Sequence, residues 1–199
     1  MAGLDLDVEL IVEHAPPNGL DRSGLERLIR FVLEAEGSRG AWAVAVVLTD
    51  DERLQLLHRD FLGIDTPTDV MTFPILDEDA PPVADRGGDV VVSVERATAQ
   101  AEEFGQTPAE EVRFLVVHGL LHLCGWDDAS DTTRDRMLER QATLIAAFDA
   151  AQPSEWESAS SNGRSDAPLG ARVRCVGADS SRPGLAHRRR GHAIKRRGT

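Results

Sequence analysis

The chain is poor in cysteine, has no long uncharged apolar run and carries little positive charge over most of its length. Each shortage excludes something. Its two cysteines, Cys124 and Cys175, lie far apart in unlike contexts, so a disulfide framework is not expected and a reducing compartment is. No stretch reaches the length of a membrane span. The opening segment MAGLDLDVELIVEH places Asp5, Asp7 and Glu9 where a secretory signal needs an unbroken apolar core. The expectation is a cytoplasmic protein with no membrane partner. Residues 1–157 hold 12 Lys and Arg against 32 Asp and Glu, a net −20. A body this acidic lacks the basic footprint of an ordinary nucleic-acid-binding surface. No internal repeat is visible.

What is present suffices for one core. The chain has 199 residues, 41% of them hydrophobic, and about 150 residues is a common domain size. Leu4, Leu6, Val8, Leu10 and Val12 alternate with mostly acidic neighbours, the period of a strand with one buried face. From Asp21 the spacing becomes helical, with Leu25, Leu28, Ile29, Val32 and Leu33 in one stripe. Trp42–Thr49 is a short valine-rich run suited to a strand covered on both faces. Asp50 or Asp51 caps a following helix with Leu54, Leu57, His58 and Phe61 toward the core. A strand near Val70–Phe73, an acidic Pro/Gly-rich surface loop over Leu76–Gly88 and a strand over Gly88–Val94 come next. Helices are expected over Glu95–Phe104, from Pro108 through the histidines, and over Ser130–Ala151. The order β-α-β-α-β-β-α-α-α implies an α+β fold: a mixed four-stranded sheet covered by about five helices, within a domain of residues 1–152.

Residues 153–199 are expected to form a separate, disordered tail. From Ser158 the segment contains no aromatic residue and carries 10 basic against 2 acidic side chains, a net +8. It lacks the apolar content that offsets ordering entropy. A solvated extension is the plain reading, and a basic arm that adds RNA affinity is the functional one.

The segment His118–Asp128, HGLLHLCGWDD, asks for a chemical explanation. His118 and His122 are four apart within an apolar helical run, so they share one helix face with Cβ atoms about 5–6 Å apart. Two imidazoles so placed converge on one ion. Thr107, Pro108 and Glu110 form a capped helix start, and Gly125 supplies a break after which Asp127 or Asp128 folds back toward the histidines. Two imidazoles and a carboxylate leave a tetrahedral Zn²⁺ one position for water, the open type of site. Thr68 and Asp69 put two polar groups at the entrance of the strand before Pro74. Cys124, within the site segment, is more in keeping with a small buried hydrophobe than with a ligand.

Three separated segments, PTDVMTFP (67–74), GDVVVS (88–93) and HGLLHLCGWDD (118–128), together resemble the YbeY family of bacterial ribonucleases, also called rRNA maturation factors. The resemblance covers residues 4–150. It implies a zinc-dependent endoribonuclease acting on single-stranded RNA, with one Zn²⁺ per chain, in maturation of the small-subunit (16S) rRNA 3′ end and in ribosome quality control. Its implied partners are that rRNA, the small ribosomal subunit and assembly factors. By position, His118 and His122 match the family's first two zinc ligands, and Asp127 matches the Asp preceding its third. Asp128 stands where the family usually has a histidine. A carboxylate there lowers the site's charge by one unit and makes a bound water less acidic. Leu62 stands where the family generally has an arginine, and Arg59, one helical turn earlier, is the candidate to clamp phosphate in its place. Asp69 or Asp127 is the candidate to orient water or a histidine.

Two other readings fit parts of the pattern. A zinc peptidase also uses paired histidines, but its general base is the Glu of HExxH, and that position is Gly119. A non-catalytic ribosome-assembly factor with a structural metal requires a fourth protein ligand, such as Cys124.

Overall fold

The computed structural model describes residues 3–75 and 86–151. The tail of residues 153–199 and the first ten positions of the acidic 76–88 loop lie outside the described residues.

Among the described residues nine elements occur, in the expected order. Strand β1 (Leu4–Val12) runs into helix α1 (Arg22–Ala35), where the Asp21 side chain accepts from the Gly24 N–H. Strand β2 (Gly40–Thr49) leads to α2 (Asp51–Leu62), capped by Asp50 and closed by Gly63 at φ +73°. Strands β3 (Val70–Pro74) and β4 (Arg86–Ser93) precede three helices, α3 (Val94–Phe104), α4 (Pro108–Leu123) and α5 (Asp131–Ala151). The sheet order is β1-β2-β4-β3. β1, β2 and β4 are parallel, and β3 runs antiparallel at the edge beside β4, so the sheet is mixed.

The two-residue period of each strand sorts the core onto two faces. Trp42, Val44, Val46 and Leu48 of β2 and Val90 and Val92 of β4 join the large cluster with α1, α4 and α5. The opposite face carries a smaller cluster, Leu54, Met71 and Val91, with Val47, Leu57 and Phe73 against it. Coverage of β2 on both faces is therefore only partial: one face is fully buried, whereas Ala43, Ala45 and Val47 on the other are half-buried. Phe61 also departs from expectation. It is 64% exposed, with its ring edge-to-face against Phe73 of β3 rather than buried in the core.

Helix α4 touches α1, α3, α5, β3 and β4. Every residue from Glu111 to Leu121 is buried, so this helix is enclosed all round rather than along one stripe. It crosses the sheet at Gly119, where a Cβ would stand 2.6 Å from Val90 Cγ1 and 3.1 Å from Thr72 Oγ1. Val90 and Thr72 are paired across β4 and β3. The missing side chain lets the helix backbone lie directly on the strands, which fixes His118 and His122 over the β3 edge. No described helix is long and apolar enough to cross a membrane.

Candidate metal centre

Helix α4 begins with a capping box in which Thr107 and Glu110 bond each other's backbone N–H, with Pro108 at the first turn. Its end is equally defined. The Gly125 N–H donates to the His122 carbonyl at 2.9 Å and the Trp126 N–H to the Leu121 carbonyl at 3.0 Å, the two bonds of a Schellman closure, with Gly125 at φ +93°. The turn brings Asp128 back over the last turn of the helix.

Nitrogen and carboxylate atoms of His118, His122 and Asp128 lie within 4.8 Å of one another. The two Nε2 atoms are 3.2 Å apart, and the Asp128 oxygens stand 3.8 Å from His118 Nε2 and 3.9 Å from His122 Nε2. Three tetrahedral donors at about 2.0–2.2 Å from a metal stand about 3.3–3.6 Å apart, so small shifts bring this set to coordination geometry.

Hydrogen bonds on the far side of each ring fix what faces inward. His122 Nδ1 lies 3.1 Å from the Trp126 carbonyl, an acceptor only, so Nδ1 donates. His118 Nδ1 lies 3.2 Å from Gln141 Oε1, and Gln141 Nε2 donates to the Phe114 carbonyl at 2.7 Å, which sets the amide with its oxygen toward the imidazole. Both Nδ1 atoms therefore carry the ring proton, and the two Nε2 lone pairs face each other beside a carboxylate. That arrangement is repulsive unless a cation lies among the three groups. The donor set fits a divalent metal. Burial, and then the neighbouring His122, pull the His118 pKa below its ordinary value, while Gln141, Asp128 and Asp69 pull the other way. The balance favours the neutral ring that a metal requires.

Other sequence candidates fall elsewhere. Asp69 is buried, with one oxygen accepting from the Val70 N–H at 2.8 Å and the other from Gln100 Nε2 at 3.0 Å. It does not line the cleft and acts on His118 only through its charge. Asp127 is exposed and accepts from the Ala129 N–H, which holds the turn. Arg59 pairs with Asp60 at 3.2 Å and is absent from the cleft wall. Cys124 sits half-buried against the large core cluster, away from the three donors, with its thiol pushed up to about 11 by burial. It gives the site no fourth ligand.

Gln141 was not expected to carry a role, since α5 reads as a packing helix. The signal was one polar residue in the stripe Met137, Leu138, Leu144, Phe148. Glu36 is a second such residue. Its carboxylate accepts from Trp126 Nε1 and from Arg140 Nε, both at 2.8 Å, and so ties the turn that bonds His122 to α1 and α5.

The three donors open into a cleft of about 490 Å³, walled by α2 and β3 through His58, Phe61, Thr72 and Phe73. Gly119, beneath the histidines, has no room for a carboxylate side chain.

Comparison with known proteins gives one consistent result. The sequence model of the family described as Endoribonuclease YbeY matches residues 18–149. A Roseiflexus sp. (strain RS-1) protein named Endoribonuclease YbeY is 36% identical over 149 residues, 72% of this chain and 92% of the relative. One of the same name from Moorella thermoacetica is 38% identical over 131 residues, 62% of this chain and 84% of the relative. The solution structure of TM1509 from Thermotoga maritima is similar at a TM-score of 0.54 and 26% identity, covering 81% of this chain and 99% of that one.

Proposed function

Because the chain belongs to the Endoribonuclease YbeY family, we propose that it is a metal-dependent endoribonuclease that hydrolyses phosphodiester bonds of single-stranded RNA at His118, His122 and Asp128. The supporting observation is the pair of opposed Nε2 lone pairs, 3.2 Å apart beside the Asp128 carboxylate, at the floor of an open cleft. No fourth His, Cys, Asp or Glu joins that cluster among the described residues. The arrangement suits a site that keeps a position for water or substrate.

His118, His122 and Asp128 would hold the ion, and zinc suits this set of two imidazoles and one carboxylate. When bound, zinc supplies Lewis-acid polarisation of a phosphoryl oxygen and lowers the pKa of a bound water. The chain's own part is orientation. Gln141 and the Trp126 carbonyl hold each imidazole in one tautomer and aim, and Glu36 holds Trp126. Asp69 adds negative charge beneath His118 without touching the cleft. Arg59 is paired with Asp60 at the surface, so no phosphate clamp is assigned to it.

The cellular role that accompanies this reading is maturation of the 16S rRNA 3′ end and ribosome quality control, with the small subunit and its assembly factors as partners. The 1–152 body carries the chemistry, and the basic 153–199 tail adds RNA affinity to an acidic protein. A peptidase of the HExxH type is not supported, because Gly119 is pressed against Val90 and cannot be replaced by the base such chemistry needs.

The test is metal content and cleavage of a short single-stranded RNA, beside its duplex, for wild type, His122→Ala and Asp128→Ala. The wild type should retain about one zinc per chain and cut the single strand, and both variants should lose metal and cleavage together. Full cleavage by clean His122→Ala protein would end the assignment.

A further inference from the structure

The cleft that holds the three donors has an unusual wall for a nucleic-acid site. Among the described residues lining it there is no Lys or Arg. The nearest guanidinium along α2, that of Arg59, is turned to Asp60. These lining residues therefore offer an RNA strand no side-chain cation for phosphate pairing. At the mouth stands Phe61, the most exposed large apolar side chain among the described residues at 64%. Its ring meets Phe73 at a centroid distance of 4.9 Å and an interplanar angle of 68°, an edge-to-face contact that holds the ring while leaving most of it open. Phe73 is itself seated on the Leu54, Met71 and Val91 cluster, so the pair is rooted in the core. Leu62, 57% exposed, extends the same apolar lip.

Building on the ribonuclease reading, we propose that Phe61, braced by Phe73, is the stacking platform for one unpaired nucleobase of the RNA strand, adjacent to the phosphate presented to His118, His122 and Asp128. Continuity with that site selects the occupant: both rings wall the same cleft as the three donors. The platform accounts for single-strand preference physically, since a base paired within a duplex has no free face to lay on the ring. It also lets an acidic body bind a polyanion, because stacking needs no cation.

The experiment uses the metal-loaded full chain and an eight-nucleotide single-stranded RNA, intact or with one abasic nucleotide walked along it. Cleavage is followed for wild type, Phe61→Ala, Phe61→Leu and Phe61→Trp. Phe61→Ala should raise KM about 10-fold, within the range for loss of one stacked base, with the loss in KM rather than kcat. Phe61→Trp should restore binding, whereas Phe61→Leu, apolar but without a π face, should not. One abasic position should weaken the wild type and leave Phe61→Ala no worse. The dependence of log affinity on log salt should keep its slope in every variant, since no charge is involved. An active wild type with Phe61→Ala or Phe61→Leu at wild-type KM overturns the platform alone, as do abasic penalties equal in wild type and Phe61→Ala. A wild type that cuts no single-stranded RNA overturns the ribonuclease reading itself.

Discussion

Gln141 stands 23 residues beyond His118 in sequence, yet its side-chain oxygen faces His118 Nδ1 at 3.2 Å in the interior between α4 and α5. It is fully buried and spends its own N–H on the Phe114 carbonyl, so the imidazole has one available tautomer and one orientation. Replacing it with Leu keeps much of the volume and removes both functions. Zinc affinity of Gln141→Leu, measured by competition with a chelating dye, should fall about 10- to 100-fold. The orphaned buried groups should cost about 1–3 kcal/mol in denaturant unfolding. Wild-type zinc affinity in this variant would mean that Gln141 merely packs.

Glu36 carries two charge-strengthened or indole bonds at once, to Arg140 and to Trp126. Because the Trp126 carbonyl is the partner of His122 Nδ1, loosening Trp126 loosens one side of the metal centre. Glu36→Ala should lower the thermal midpoint by about 4 °C. It should also weaken zinc binding, whereas Glu36→Gln, which still accepts from Trp126, should recover most of that affinity. Equal zinc affinity in Glu36→Ala and wild type would show that the turn holds without the clamp.

Gly119 is a packing residue with a functional consequence. A methyl group there meets Val90 Cγ1 at 2.6 Å, so Gly119→Ala pushes α4 off the sheet despite the better helix propensity of alanine. The expected cost is about 1–3 kcal/mol. Combined with Val90→Ala it should cost clearly less than the sum of the two single changes, because the second substitution empties the space the first one fills. Strict additivity in urea unfolding would contradict the contact.

Asp89 gives a pH-dependent prediction. Burial first and the nearby Glu9 second raise its pKa above 3.8. The ionised form is therefore disfavoured in the folded chain, and the unfolded chain loses this proton first. The stabilising protonated form is fully present below about 3.8, and its contribution is lost as pH rises through the folded pKa. Asp89→Asn should raise the melting temperature at pH 7 by about 1–2 °C, a small gain because solvent partly screens the group. The gain should vanish near pH 3.8. An equal gain at both pH values would point to a cause other than charge.

The elements were legible because each is specified over a few neighbouring residues. Thr107, Pro108 and Glu110 announce the start of α4 and Gly125 its end, and the alternation of Leu4–Val12 marks β1. Phe61 was misplaced because helical spacing alone carries its ring toward the core. Only the packing of α2 against β3 shows that the ring meets Phe73 at the sheet edge and stays mostly exposed. Asp69 sat in a motif with two polar groups at a strand entrance, which is equally the sequence of a buried structural carboxylate. Gln100, on a different element, bonds that carboxylate in the interior, a contact the motif does not announce.

Residue spacing alone puts two imidazoles on one helix face and a carboxylate after a glycine break, because an α-helix repeats every 3.6 residues and a Schellman turn spans six. Long-range packing selects which carboxylate turns inward, Asp128 and not Asp127, and which distant groups aim the histidines. The same packing places Phe61 and Phe73, and among the described residues no Lys or Arg, in the cleft wall. Those outcomes depend on α1, α5 and the antiparallel β3 edge packing against α4, and a pairing between residues 23 or 90 positions apart leaves no periodic trace in the chain.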